Sequence, residues 1–392
     1  MPEVSIMVLS TGTGDETPPQ FFVEHKGVWR DTPLLRSGSF VSLKETRDIV
    51  DQQLNNLMLK VGQAINSGND LPNFTFHLKR VFWGVYSNIV PFEIQSALQQ
   101  TLASAKNRAV EMGAEEEVPI LRIHFSPQVE WIPWEVLHDG TDYLGLRFQI
   151  ARLPIVAGGP DLNDYHIRHV SHIYNLLGQN VLSPSPDPLF AAWRKTFDGL
   201  TTSTQQEIQC PAIEDDNWPT VDKFVEAVGA DILHLTCHGG LKDKRGQVYW
   251  TLNDKAEWPE QHRIYPDSVR MLSNLRATKT LVFGNACASI KGTAGDAREG
   301  SEGGLTPGLG SAFFAQGAPN FVGTFAPTTK KVAIEFARQF YQQLFQEKMS
   351  IGQALWATKK YYQDKDEHDP SWLYYCLYGP PETRFEIARE MK

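Results

Sequence analysis

Two apolar stretches of the sequence end in side chains that can carry out nucleophilic chemistry. The stretch DILHLTCHGG, residues 231–240, reaches His238 and two glycines, and KTLVFGNAC, residues 279–287, reaches Cys287. A thiolate attacks a carbonyl carbon, and an imidazole can take the thiol proton and return it to a leaving amine. Gly239 has no side chain to obstruct an oxyanion, so its backbone N–H and that of Cys287 can form an oxyanion hole. The residue types therefore indicate a Cys/His nucleophilic site, and two independently buried residues are the alternative.

Strand periodicity sorts the other reactive residues of the first stretch. If residues 230–238 form one strand, His234, Thr236 and His238 share a face while Cys237 points to the opposite one. Cys237 is therefore predicted to be a buried core thiol. His234 lies four residues before His238, on the order of 13 Å along a strand, so the two cannot bind one metal ion. We predict no metal site, and we expect His234 to be a hydrogen-bonded strand residue or a support for His238.

The sequence after residue 89 indicates a scaffold in which strands alternate with helices. A helix is predicted from residue 92 up to Gly113, and the later helices over 330–345 and 350–362 include one opened by a capping box of Ser350 and Gln353. Such alternation is typical of an α/β fold with a largely parallel sheet covered by helices on both faces, in which sites form beyond the carboxyl ends of strands. His238 and Cys287 are therefore expected at one edge of the sheet. The buried strands are predicted at 118–126, 170–178, 230–238, 279–287 and 319–325.

Composition and charge restrict the class of protein. The 392 residues predict two or three domains, and their 41% hydrophobic and 21% charged content is that of folded globular proteins. A net charge of −9 and a pI near 5.7 argue against direct binding of nucleic acid. No apolar run reaches about 18 residues, and the first residues do not resemble a secretory signal, so we expect no membrane span and a cytoplasmic protein. The four cysteines are widely spaced and are expected to be free thiols in a reducing compartment.

Three motifs, in order along the chain, resemble a known family. HLTCHGG, FGNACAS and GLGSAFFAQGAPNFVGTFAP resemble the CHAT family of caspase-like cysteine peptidases, which are relatives of caspases and separases. The 49 residues from His238 to Cys287 also fit caspase-type peptidases, in which the histidine precedes the cysteine by about 50. The resemblance extends upstream to RIHFSPQVEWIPWEVLHDGTDYLGLRF and downstream to SWLYYCLYGPPETRF. It implies a caspase-like domain over 89–392, with an opening accessory half at 89–157 and a catalytic core at 158–392.

The resemblance also implies roles for individual residues. His238 is expected to be the general base and Cys287 the nucleophile of a protease that uses no metal or organic cofactor. Asn285 stands where metacaspase relatives place an aspartate that helps to select a basic residue at the cleavage site. Because an amide cannot supply that charge, basic specificity does not follow, and Asn285 is expected to be a supporting residue.

A glycine-rich stretch, residues 288–308, follows the cysteine directly and carries Asp296, Glu299 and Glu302. One interpretation is a solvated surface loop. The other is a specificity or activation loop that becomes ordered when the enzyme is activated, with the acids forming a pocket for Lys or Arg.

The leading functional hypothesis is a cysteine endopeptidase that cleaves a protein substrate after an activating signal. Relatives carry repeat domains or act beside separate sensors in bacterial signalling and defence; this sequence shows no 34-residue repeat, so a separate activating or sensor protein is expected. Residues 1–88 have a mixed α+β pattern that the resemblance does not cover, and they are the predicted docking or regulatory region. The alternative function is a non-catalytic caspase-like scaffold or adaptor, although both His238 and Cys287 are present. A nucleotide-binding enzyme is disfavoured because the glycines at 303–310 do not directly follow a strand.

Overall fold

A ten-stranded sheet forms the centre of the molecule, in the order β3-β2-β1-β4-β5-β14-β13-β12-β8-β7. Its strands, with those of two smaller sheets, are β1 Glu3–Leu9, β2 Gln20–His25, β3 Val28–Thr32, β4 Ile120–Phe125, β5 Gln149–Pro154, β6 Ile167–Val170, β7 Ile173–Leu177, β8 Ile232–Thr236, β9 His238–Lys242, β10 Val248–Thr251, β11 Arg263–Ile264, β12 Leu281–Asn285, β13 Asn320–Thr324, β14 Tyr375–Tyr378 and β15 Arg384–Ile387. The structure is a computed structural model that describes residues 1–9, 19–25, 28–32, 48–50, 52–53, 56, 74–115, 117–156, 159–161, 167–178, 191–192, 195, 224, 228–242, 248–253, 259–272, 275–287, 308–365 and 369–387.

Three helices of the described residues begin and end close to the predicted positions 92–113, 330–345 and 350–362, whereas the sequence did not predict the helix Phe74–Ile89. The long helix after residue 89 ends at Gly113, whose φ of 60° is the left-handed conformation that suits glycine, and the predicted capping box of Ser350 and Gln353 opens the last helix. The helices are α1 Phe74–Ile89, α2 Phe92–Met112, α3 Leu144–Arg147, α4 Pro266–Arg270, α5 Leu275–Thr278, α6 Leu309–Ala315, α7 Lys330–Tyr341 and α8 Ile351–Asp364, with a π-helical turn at Gln342–Gln346 and short 3-10 turns at Pro127–Val129, Trp134–Val136, Pro259–His262 and Pro370–Tyr374. In the part of the chain that the structure describes, no helix is long and apolar enough to cross a membrane.

The central sheet consists of two parallel blocks that run in opposite directions. Strands β1, β4, β5 and β14 are parallel to one another, and so are β7, β8, β12 and β13. The blocks meet where β14 pairs antiparallel with β13. The predicted largely parallel α/β sheet is therefore confirmed, and the carboxyl ends of β8 and β12 lie at the same edge.

Successive residues of β12 show that helices cover both faces of this sheet. The Phe283 ring packs against Phe340 of α7, with ring centroids 5.2 Å apart. The next residue, Gly284, lies against the opposite face, where the ring of Trp250 sits and where Phe313 of α6 packs on that tryptophan. Because strand side chains alternate between faces, α7 and α6 lie on opposite sides of the sheet.

The first strands of the chain belong to the same sheet as the rest. β1 pairs in parallel with β4 over six residues, from Glu3 opposite Ile120 to Val8 opposite Phe125. β2 and β3 then extend the sheet in antiparallel fashion. Strands β1, β2 and β3 thus extend the sheet that β4 and the later strands form, while a docking or regulatory role for residues 1–88 stays a prediction.

A buried ion pair joins the segment after β4 to β5. The Arg152 guanidinium donates two hydrogen bonds to the Glu135 carboxylate, at 2.9 and 2.6 Å, and both side chains are almost completely buried. Burial alone would raise the pKa of Glu135, but the charge and hydrogen bonds of Arg152, with the charge of Lys359, hold that pKa below its ordinary value. The pair therefore fixes the conformation of residues 130–135, the EWIPWE segment, against the sheet.

Glu130, in the same segment, fixes the start of α6. Its carboxylate accepts hydrogen bonds from the Gly308 N–H at 2.9 Å, from the Ser311 hydroxyl at 2.7 Å and from the Tyr378 hydroxyl at 2.7 Å. Gly308 is the residue that precedes α6. Glu130 thus positions the start of α6, which lies about 180 residues later in the sequence.

Candidate active site

The register of β8 and β12 brings the two predicted reactive segments side by side. Thr236, the last residue of β8, lies opposite Asn285, the last residue of β12. His238 and Cys287 each lie two residues beyond the last residue of their strand. The register thus brings Thr236 and Asn285, which are 49 residues apart in sequence, to the spacing of neighbouring strands, about 4.8 Å.

The strand itself ends earlier than the sequence predicts. β8 stops at Thr236, and His238 opens β9, which pairs antiparallel with β10 so that Thr251 lies opposite His238. The prediction that His238 shares a strand face with His234 and Thr236 is therefore wrong, because the chain leaves the large sheet at Cys237 to pair with a different strand. Cys237 is nevertheless buried, with 4% of its surface exposed, as predicted.

Gly239 is packed directly against Cys287. A methyl group at Gly239 would lie 2.5 Å from the Cys287 carbonyl oxygen and 3.0 Å from the Ala286 Cβ. The same methyl group would lie 2.9 Å from Cδ1 of Trp250, and one at Gly284 would lie 2.6 Å from the far end of that indole. The two glycines thus leave space for Trp250 and for close contact between the segments of His238 and Cys287.

The Cys287 thiol lies between the end of β12 and the start of α7. Its Sγ donates to the Thr328 carbonyl oxygen, 3.8 Å away, and the side chain is partly exposed. Burial raises the pKa of this thiol above its ordinary value, while its contacts with Thr328 act in the opposite direction. The described conformation therefore favours the protonated thiol at neutral pH.

The side chain of Asn285, two residues before Cys287, is held by two hydrogen bonds. Its Nδ2 donates to the Ala333 carbonyl oxygen in α7 at 2.8 Å, and its Oδ1 accepts from the Tyr375 hydroxyl at 2.7 Å. Tyr375 is fully buried and stacks on Phe336, with ring centroids 3.8 Å apart. Asn285 therefore joins the end of β12 to α7 and β14.

His234 is a hydrogen-bonded core histidine, which is one of its two predicted roles. Its Nδ1 lies 3.1 Å from the Tyr341 hydroxyl and its Nε2 lies 3.1 Å from the Thr236 hydroxyl. Burial lowers the pKa of the imidazole to about 3, so the ring is neutral at physiological pH. His234 thus packs under α7 as a neutral side chain.

Other predicted site residues differ in what the structure says of them. Asp296, Glu299 and Glu302 lie outside the described residues. Burial raises the pKa of Cys237 well above its ordinary value, and the nearby Cys287 thiol adds to that increase. Cys237 is thus a poor nucleophile next to the candidate one.

The sequence did not single out three residues near the reactive segments: Trp250, which packs against Gly239, and Thr328 and Tyr375, which interact with Cys287. Tyr375 lies in the downstream motif SWLYYCLYGPPETRF, but nothing there marks it as a neighbour of Cys287. These contacts depend on pairings between strands far apart in sequence. The pair of glycines opposite Trp250 was the one local signal, since Gly239 and Gly284 both end apolar runs.

The family of this chain follows from its sequence and agrees with this geometry. The model of the CHAT domain family matches residues 93–380, which is most of the chain. The chain belongs to the CHAT domain family. The matched range includes the EWIPWE segment, both reactive strand ends and β14.

Solved structures show which fold this CHAT domain has. It is similar to separase from Saccharomyces cerevisiae in two separase–securin complexes, with TM-scores of 0.54 and 0.52 and identities of 10% and 12%. The alignments cover 98% and 97% of this chain but 30% of each separase chain. The CHAT domain therefore has the caspase-like fold of separase, and its length corresponds to about a third of that protein.

One further solved structure and a search of curated proteins were also compared with this chain. A complex of the pro- and mature domains of RgpB from Porphyromonas gingivalis aligns with a TM-score of 0.42 and 12% identity, covering 74% of this chain and 69% of that one. No curated protein matches the sequence.

Proposed function

We propose that this CHAT domain is a cysteine endopeptidase in which Cys287 is the nucleophile and His238 the general base. The observation that supports the proposal best is the contact of Gly239 with the Cys287 carbonyl group, because it holds the histidine segment against the cysteine segment at the carboxyl edge of the sheet. The membership of the family and the caspase-like fold agree with it.

The proposed reaction uses the backbone and two side chains. The His238 imidazole takes the Cys287 proton, and the thiolate sulfur then forms a bond to the carbonyl carbon of the scissile peptide. The N–H groups of Gly239 and Cys287 donate to the resulting oxyanion. The imidazolium returns its proton to the leaving amine, and a water molecule deprotonated by His238 hydrolyses the thioester.

The proposal includes an activating partner and a protein substrate. In the described conformation the thiol is partly buried, its pKa is raised by that burial, and it donates to a carbonyl group, all of which disfavour the thiolate. We propose that a separate protein relieves this state in bacterial signalling or defence, in the cytoplasm, where the free thiols Cys237, Cys287 and Cys376 would stay reduced. Asp296, Glu299 and Glu302 remain the proposed specificity or activation segment.

Covalent labelling tests the proposed function without knowledge of the substrate. A mixture of peptidyl acyloxymethyl ketones should label Cys287 of the wild-type chain slowly on its own, because the resting thiol is protonated, and faster once the activating protein is present, as measured by mass spectrometry of its peptides. Labelling should disappear in Cys287→Ala and fall strongly in His238→Ala, while Cys237 stays unlabelled. The same variants should no longer cleave the products of neighbouring genes. Cleavage is measured as the appearance of new N-termini in those proteins.

Two results would count against the peptidase. Cleavage that survives Cys287→Ala would show that Cys287 is not the nucleophile. Labelling of Cys287 that is equal in wild type and His238→Ala would show that His238 is not the general base. The second result, together with absent cleavage, would favour the non-catalytic scaffold.

A further inference from the structure

His238 and its cross-strand neighbour Thr251 both have side chains without a hydrogen bond. Among the residues that the structure describes, no group is hydrogen-bonded to the His238 imidazole, although a general base needs a third group that orients its ring. The Thr251 hydroxyl has no partner among those residues either, and only 1% of the surface of Thr251 is exposed. Because a buried hydroxyl without a hydrogen bond is unfavourable, its presence beside the candidate base points to a role in the site.

A β-bulge in β9 puts His238 opposite Thr251. Tyr249 pairs with Leu241, so an unbroken antiparallel register would place the residue after His238 opposite Thr251. Instead one residue of β10, Trp250, faces two residues of β9, and the register resumes with His238 opposite Thr251. Bulges of this kind re-aim side chains, and they are frequent beside active sites.

This pairing brings the two side chains within reach of one hydrogen bond. Residues directly opposite on antiparallel strands point to the same face, with Cβ atoms about 4.5–5.5 Å apart. The imidazole therefore reaches the Thr251 hydroxyl by rotation about its side-chain bonds, without movement of the backbone. The preceding residue, Trp250, is fully buried against Gly284 and Phe313, which holds this part of β10 in place.

The neighbour of Thr251 on its other side is engaged elsewhere. Arg263 of β11 lies opposite Thr251. Its guanidinium carbon lies 4.7 Å from the centroid of the Tyr249 ring, and its Nη1 lies 3.6 Å from the Glu260 carboxylate. The hydroxyl therefore remains for His238.

We infer that Thr251 is a positioning residue, whose hydroxyl oxygen accepts a hydrogen bond from one ring N–H of His238. Fixing the proton on that nitrogen leaves the other ring nitrogen unprotonated, as required of a base that takes the proton of Cys287. Thr251 thus acts on the reaction through His238. The inference rests on the proposed function in taking His238 as the general base.

The direct test is the proton position on the His238 ring. Thr251→Val removes the hydroxyl and keeps the shape of the side chain. Long-range proton–nitrogen correlation spectra of histidine-labelled protein at neutral pH report which ring nitrogen is protonated, and His238→Gln assigns the signals. One tautomer of His238 should dominate in the wild type. In Thr251→Val the two nitrogen shifts should move towards those of histidine in an unfolded peptide, and Thr251→Ser should restore the wild-type spectrum.

Labelling and stability should respond to Thr251→Val in different directions. A hydrogen bond between neutral groups typically contributes about 0.5–1.5 kcal/mol, so ketone labelling of Cys287 should slow by about 2- to 10-fold and recover in Thr251→Ser. The midpoint of denaturant unfolding should stay the same or rise, because valine removes a buried hydroxyl that has no partner. A side chain that only supported the fold would show a lower midpoint.

Thr280→Val is the matched control. Thr280 is also fully buried, but its hydroxyl is hydrogen-bonded to the carbonyl oxygens of Val228 and Ala230, at 2.8 and 2.7 Å, at the amino end of β12. Its replacement should lower the unfolding midpoint and leave the His238 spectrum unchanged.

The outcomes separate this inference from the proposed function. Superimposable His238 spectra of wild type and Thr251→Val, or slow labelling that Thr251→Ser does not restore, would overturn the role of Thr251 even if the chain cleaves proteins. If Thr251→Val does not fold, as measured by circular dichroism, Thr251→Ala replaces it in the same spectra. Since the spectra need no cleavage, they can show the hydrogen bond even where the labelling of His238→Ala rejects the base.

Discussion

At the scale of single residues, two glycines decide how closely the reactive segments approach. Gly239 and Gly284 lie against opposite ends of the Trp250 indole, and Gly239 also contacts the Cys287 carbonyl group. Any side chain at these positions would displace backbone or a buried ring, neither of which moves easily in a packed interior. The absence of two Cβ atoms is therefore as important to the candidate site as the presence of the thiol and the imidazole.

Gly239→Ala should separate the two segments. The new methyl group would lie 2.5 Å from a backbone oxygen, so we expect a loss of about 1–3 kcal/mol in the free energy of unfolding and a fall of about 100-fold in ketone labelling of Cys287 as the oxyanion donor moves. Denaturant unfolding and labelling rates measure the two effects.

Gly84→Ala is the control for this substitution. Gly84 lies in α1 with no atom within 4 Å of an added Cβ, so alanine should stabilise the helix by about 0.5–1 kcal/mol without affecting labelling. If Cys287 in Gly239→Ala were labelled at the wild-type rate, the close contact between Gly239 and the Cys287 carbonyl group would be contradicted.

At the scale of elements, the buried pair of Glu135 and Arg152 joins the segment between β4 and β5 to the sheet. Arg152 also donates to the carbonyl oxygens of Glu130 and Ile132, at 3.0 and 2.9 Å, so one side chain of β5 fixes the whole turn. That turn places the Glu130 carboxylate at Gly308 and Ser311, where α6 begins. The EWIPWE segment thus stabilises the start of α6 through hydrogen bonds, and it has no proposed part in the reaction of the Cys287 thiol.

Glu135→Gln should destabilise the protein in a pH-dependent way. Removing one partner of a buried ion pair typically costs about 3–5 kcal/mol, and we expect that loss at pH 7. The folded-state pKa of Glu135 lies below its ordinary value of 4.5, so its contribution is complete above that pH and is lost as the pH falls towards the folded-state pKa. The difference between wild type and variant should therefore narrow below about pH 4.5.

Chemical denaturation between pH 3 and pH 7 measures that difference. Asp267→Asn is the control, because Asp267 and Arg270 form an ion pair in which both side chains are more than half exposed, and such pairs contribute less than about 1 kcal/mol. A difference for Glu135→Gln that stays constant with pH would show that the carboxylate charge is not what stabilises the pair.

At the scale of the whole molecule, the sheet extends beyond the range matched by the family. The family match begins at residue 93, yet β1 supplies the parallel neighbour of β4, and its residues Ile6 and Val8 are fully buried. An open β4 would leave unpaired backbone groups and apolar side chains in water. Any docking role of the first 88 residues is thus combined with a structural one.

Deleting residues 1–32 should therefore lower stability and promote aggregation. The deletion removes the β1 partner of β4 and exposes the apolar surface that Ile6 and Val8 cover, so we expect loss of a cooperative thermal transition, measured by calorimetry and light scattering. Ile6→Ala provides a graded comparison, with an expected cost of about 2–5 kcal/mol. A deleted chain that stays monomeric with the wild-type melting temperature would show that β1–β3 form a separable unit.

Local patterns in the sequence determined much of this protein. The helix that ends at Gly113, the capping box at Ser350 and the largely parallel α/β sheet follow from periodicity and from local backbone preferences, which neighbouring residues set. The reactive types of His238 and Cys287 and their place near strand ends were also evident. These features depend on contacts within one turn or one strand.

Only the tertiary structure decided the surroundings of the thiol. The sequence predicted one strand through His238, but pairing with β10 takes the chain out of the large sheet at Cys237. Thr328 and Tyr375 reach the thiol because β12, β13 and β14 are neighbours in the sheet, although Cys287 and Tyr375 are 88 residues apart in the sequence. Which side chains meet at a site depends on strand order and register, and both are set by packing across the whole molecule rather than by any local pattern.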